Sequence, residues 1–130
     1  MVLDKKNILF ERDEKGELIP QEVSLVVDEK DELQSKYKSE KIVIIPLSRG
    51  EIKKLFARVN SIKDDEESDV DSEIIVSKCK NPAFTKEDVK FMKPSYATMI
   101  VNTILFESGL QVGKTKKAAL AEAEDDFAKN

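Results

Sequence analysis

The sequence predicts a mainly α, α+β fold: a small helical bundle carrying an N-terminal β-hairpin or short-strand appendage. Three observations predict it. Apolar residues recur at helical spacing behind capping signals at Ser48 and Thr85. The stretch YATMIVNTILFESGL (Tyr96 to Leu110), the most apolar of a chain that is 37% charged, is apolar on most helical faces, as a central helix is. β-Favouring runs are short and confined to residues 8–27 and 41–47.

Taken in order, ILFERDEKGELIPQEVSLVV (residues 8–27) sets apolar runs on either side of DEKG, whose Gly16 suits a four-residue turn, and so reads as a hairpin. Pro20 cannot donate to a ladder, so the second strand lies at an edge or begins after it. Asp28 to Glu40 is charged, with Leu33 and Tyr37 as its apolar members, and reads as linker or one loosely docked helical turn. KIVIIPL (41–47) is β-branched, too short for a helix and closed by Pro46, as a strand or extended arm is.

Ser48 and Glu51 have capping-box spacing, flanked by Leu47 and Ile52 as a hydrophobic staple. Ile52, Leu55, Phe56, Val59 and Ile62 then share one helical face, with Lys53, Lys54 and Arg58 off it. Lys63 to Glu73 holds seven acids and one lysine, a loop running into the next helix, where the macrodipole welcomes carboxylates. Val70, Ile74, Ile75 and Cys79 form that helix's stripe, which Asn81-Pro82 stops. Thr85 and Asp88 repeat the capping pattern, with Phe84 and Val89 as staple, before Pro94 halts a short helix. The last helix begins near Ser95; Gly109 suits a left-handed position after its end, and Leu110 can fold back on Leu105. Ile52, Phe56, Ile75, Phe91, Met99, Ile100 and Ile104 are the expected core.

A length of 130 residues suits one domain with little material for a deep active site. It divides into a hairpin and charged linker (1–40), a helical core (41–110) and a C-terminal tail (111–130), flexible or docked on a partner. Within the tail, Leu120, Ala123 and Phe127 form a narrow stripe.

A net charge of −4 argues against a nucleic-acid footprint. The N-terminus carries no long apolar run behind its lysines, which predicts neither signal peptide nor membrane span and places the protein in the cytoplasm. With no histidine, the imidazole base and metal ligand are missing, and Ser-His and Cys-His pairs with them. The single cysteine, Cys79, reads as a small buried residue. The acids from Asp64 to Asp71 lack the EF-hand pattern and read as a solvated loop. GLQVGKT (109–115) ends like a phosphate-binding loop, but position 108 is serine where that loop needs glycine. Lys53, Lys54 and Arg58, with Lys114, Lys116 and Lys117, read as solvated polar faces. These features predict a non-enzymatic binding protein without catalytic residues, cofactor or metal. A surplus of apolar residues over what a small core requires suggests a groove for an amphipathic helix, rimmed by Phe56, Val59, Tyr96 and Met99.

The order of elements carries a resemblance. An extended IVIIPLSRGEIKKLF enters a capped helix; an acidic break follows; then comes DSEIIVSKCKNPAFTKEDVKFMKPSYATMIVNTILFESGL. Over roughly residues 41 to 110 this resembles the tail assembly chaperones of long-tailed bacteriophages, their prophages and related archaeal viruses. There a "pl…ge…l" helix precedes one carrying Ile-Ile and then "c…P.ft.e.v..l", and a last helix ends in Ser-Gly. The resemblance implies an adaptor of the host cytoplasm that binds the tape measure protein, keeps its long helices soluble while tail-tube protein is recruited, and is absent from the mature virion. It also implies that a frameshifted longer product can exist, with which Lys116-Lys117 is compatible. A structural tail or neck component, or a small acidic regulatory protein, shares the acidic helical composition. Self-association remains open.

Overall fold

The computed structural model describes residues 2–61 and 67–110, with side chains at 2–58 and 70–110. The tail and the centre of the acidic run lie outside the described residues, as do the expectations placed on them.

The architecture is mixed α+β, which corrects the helical bundle with a β appendage. Six helices among the described residues accompany a three-stranded antiparallel sheet, β1 (Gln21–Ser24), β2 (Lys41–Ile44) and β3 (Cys79–Asn81), with β2 in the centre. The sheet is part of the core: Ile44 is fully buried, and Leu25 and Ile42 nearly so. Residues 21–25 thus pair and pack with residues from 41 onward.

The hairpin over 8–27 forms only at its tip. Gly16, at φ +83°, closes a turn in which its N–H donates to the Asp13 carbonyl at 3.0 Å, and one bridge joins Arg12 to Leu18. The flanking runs then part. Ile8 closes a short exposed helix, α1 (Lys5–Ile8), capped by Asp4, whereas the run after Pro20 pairs with β2, Gln21 opposite Ile44 and Ser24 opposite Lys41. β2 offers Val23 and Leu25 a face that Ile42 and Ile44 bury, whereas Ile8 and Leu9 stay exposed, so pairing with β2 wins. β1 begins directly after Pro20 and also lies at the sheet edge, so both positions open to it are realised.

One turn of helix, α2 (Glu32–Ser35), forms in the charged linker under an Asp31 cap; Leu33 is exposed, and Tyr37 packs on Tyr96 with ring centroids 4.8 Å apart.

α3 (Arg49–Ser61) starts with the expected box: Glu51 Oε1 accepts from the Ser48 N–H at 3.2 Å, and Ser48 Oγ accepts from the Glu51 N–H at 3.3 Å. Ile52 is buried, and Leu55 and Phe56 half-buried. α4 (Glu67–Lys78) buries Val70, Ile74 and Ile75, but ends one residue before Cys79. Cys79, expected on the helix, begins β3. The Ile45 N–H donates to the Lys78 carbonyl at 2.8 Å, so the free side of β2 finds its partner in the segment leaving α4.

α5 (Lys86–Lys90) has the Thr85–Asp88 capping box. It is one turn long, and Phe84, Val89 and Met92 turn inward from it while Phe91, expected in the core, is 81% exposed.

α6 (Pro94–Glu107) is the central helix, with Met99, Ile100, Val101, Thr103, Ile104 and Leu105 buried. It runs along β2 in the same direction, since the Tyr96 hydroxyl reaches Glu40 before the strand and Ser108 reaches Leu47 beyond it. The end is a Schellman cap: Gly109 sits at φ +91°, and the Leu110 N–H donates to the Leu105 carbonyl at 2.9 Å.

Two hydroxyls tie α6 to the sheet. Thr103 Oγ1, fully buried, donates to the Met99 carbonyl at 2.7 Å and accepts from the Val26 N–H at 2.8 Å. Ser108 Oγ donates to the Ile104 carbonyl at 2.6 Å and accepts from the Leu47 N–H at 2.7 Å. Each satisfies a backbone donor just past a strand, where the ladder has ended.

Candidate partner-binding cleft

α3 and α4 lie antiparallel, and two ion pairs join them. Glu51 bonds Lys78 at one end, and Arg58 bonds Glu73 at the other. Seven residues along α3 span about 10 Å, so the pairs bracket two turns of helix. Between them a cleft of about 190 Å³ opens, lined by Leu47, Lys54, Leu55, Ile74 and Ser77 together with Glu51, Glu73 and Lys78. The i, i+3, i+4 spacing of Glu51, Lys54 and Leu55, and of Ile74, Ser77 and Lys78, turns both sets toward the same space.

The Glu51–Lys78 pair is held tightly. The Lys78 side chain is only 12% exposed, and it lies in the last turn of α4, where a cation meets the negative end of the helix dipole. Burial pushes the Glu51 carboxyl up, but the bond from Lys78 and the Ser48 N–H together outweigh it and hold the group below its usual value. Ser77 Oγ is turned back on the Glu73 carbonyl at 2.6 Å, so its hydroxyl is already engaged and the cleft wall there is less polar than the sequence suggests. The volume falls below the several hundred Å³ of small-molecule sites and suits one or two apolar side chains of a partner.

Other features do not build a site of comparable order. A hollow of about 560 Å³ beside the N-terminal turn is lined by Leu9, Phe10 and Arg12, on a segment held by a single bridge. Cys79 is buried with its thiol 3.2 Å from the Pro82 carbonyl, and burial pushes its pKa up, away from the reactive thiolate. Among the described residues, no group of three or more His, Cys, Asp or Glu could hold a metal ion, and no helix is long and apolar enough to cross a membrane.

Of the four residues expected at a groove rim, the structure describes the side chains of Phe56, Tyr96 and Met99. Phe56 is half-buried on α3. Val59 follows on the same helix, and its side chain lies outside the described residues. Tyr96 packs on Tyr37 with its hydroxyl 3.0 Å from Glu40. Partial burial and then Glu40 push that phenol's pKa up, so it stays a donor. Met99 is fully buried and lines no surface. α4 packs against both α3 and α6. Sequence reasoning missed the cleft because its rim residues, Glu51, Lys54, Glu73, Ser77 and Lys78, are polar. The available signal was acidic and basic residues at helical spacing on two adjacent helices. No protein-family model, curated protein or solved structure matches this chain.

Proposed function

We propose that this chain is a non-catalytic adaptor of the tail-assembly type, taking an amphipathic helix of a tape measure protein and holding it while tail-tube protein is recruited. The observation that carries the reading is the α3–α4 cleft. It has an apolar floor of Leu47, Leu55 and Ile74, and its charged walls are fixed by two ion pairs. A floor of this size seats an anchoring side chain of a partner helix, and the Lys54 and Glu73 rim sets its direction by charge. The order of elements over residues 41–110, which resembles the tail assembly chaperones, supplies the partner's identity.

The test uses Ser77→Phe, which places a ring over the cleft from an exposed position and leaves the buried core alone. With a soluble helical fragment of a tape measure protein, wild type is expected to co-purify and Ser77→Phe to lose at least about tenfold in affinity with an unchanged melting temperature. Equal binding by both proteins would remove the cleft from the reading. No binding by wild type would remove the partner.

A further inference from the structure

The open edge of the sheet carries an inference independent of the cleft. The Leu25 N–H donates to the Glu40 carbonyl at 2.9 Å, which continues the register that sets Gln21 opposite Ile44 and Val23 opposite Ile42. Gln21 and Val23 therefore exchange bonds with β2, Leu25 donates to Glu40 just before it, and the backbone groups of Glu22 and Ser24 face away. Among the described residues, none of those four outward groups has a bonded partner. The window is closed on both sides: Pro20 has no N–H, and the next outward N–H, that of Val26, is bonded to Thr103.

We propose that a second copy of this chain fills the window, β1 pairing antiparallel with β1 of the partner about a twofold axis at Val23, to give one continuous six-stranded sheet. The register follows from the two closed ends. Centring the axis on Glu22 would place two carboxylates opposite each other and pair Ser24 with Pro20, which has no N–H to give. Centring it on Ser24 would pair Glu22 with Val26, whose N–H is already engaged. Centring it on Val23 pairs each Glu22 with Ser24 of the other copy, uses every open group in the window and sets a hydroxyl opposite each carboxylate. Val23, half-buried on the core side, then meets its own counterpart and gains cover. On the solvent side Lys41, 3.9 Å from Glu22, completes a row of alternating character. The edge fits its own copy because its two donors and two acceptors are self-complementary in this register.

Ser24→Pro tests this, because it deletes an outward N–H and leaves the bonds to β2 in place. Sedimentation of full-length protein over a concentration series is expected to show a monomer–dimer equilibrium for wild type. Ser24→Pro is expected to weaken it by roughly 10–100-fold through the loss of two symmetric bonds, with an unchanged melt. Amide exchange on wild type provides the second reading: the Glu22 and Ser24 amides should slow as concentration rises, while those of Val23 and Leu25 stay slow throughout. If Ser24→Pro does not fold, the exchange series decides alone. Wild type that stays monomeric at millimolar concentration, or that dimerises with its Glu22 and Ser24 amides still fast, overturns the proposal. So does edge protection that appears only when a foreign extended peptide is added.

Discussion

α3 and α6 are nearly the same length, 13 and 14 residues, and they are stabilised in different ways. α3 follows its local code: a capping box at Ser48, one buried residue, Ile52, among its described side chains, half-buried neighbours and a charged outer face. α6 has no side-chain cap at its start and no charged residue before Glu107, yet it buries six side chains between the sheet and α4. A surface helix carries its stability largely in its own sequence. A central helix draws it from what surrounds it, and each polar atom it brings inside must then be matched.

The comparison breaks most visibly at the centre of α6. Ile104→Ala removes a fully buried side chain and is expected to destabilise by about 2–5 kcal/mol in denaturant unfolding, and Leu55→Ala on α3 by clearly less. Similar losses at both sites would mean that α3 is as central as α6.

Thr103→Val keeps the shape of the side chain but leaves the Val26 N–H without its acceptor, for an expected loss of about 1–3 kcal/mol. Thr103→Ser should restore most of it. If Val is tolerated as well as Ser, the hydroxyl is incidental and packing alone holds α6 to the sheet.

On α3 the local code can be tested by itself. Ser48→Ala is expected to cost about 0.5–2 kcal/mol by thermal melt, through loss of the cap. Glu51 adds a pH dependence whose sign follows from its lowered carboxyl pKa in the folded protein. Its contribution is complete above the ordinary value of 4.5 and is lost as pH falls through the lower folded value. The stability gap between wild type and Glu51→Gln should therefore close as a pH series descends below 4.5. A gap that is constant with pH would mean the Lys78 pair contributes nothing.

The smallest effect is expected at Phe91, which follows the one-turn helix α5 and is 81% exposed. Phe91→Ser should change stability by no more than about 0.5 kcal/mol. A larger loss would show that this ring belongs with Phe84 and Met92 in the core.

The sequence by itself determined what depends on neighbours a few residues apart. Ser48 with Glu51 and Thr85 with Asp88 set two helix starts, and Gly109 set one helix end, because caps and positive φ are local. The apolar breadth of Tyr96 to Leu110 likewise announced a central helix. Tertiary structure decided the rest. The partner of the strand after Pro20 was β2 and not the run before the turn, because only β2 shares a buried face with it. Lys80 and Asn81 joined a strand that their own propensities disfavour, because β2 had donors and acceptors left to satisfy. Phe91 fell outside because α5 is a single turn whose other apolar residues already face inward. The cleft between α3 and α4 had no apolar signature, since ion pairs between residues far apart in the sequence, Glu51 with Lys78 and Arg58 with Glu73, bracket it. Such pairings depend on which surfaces meet, and one chain's local pattern does not carry that information.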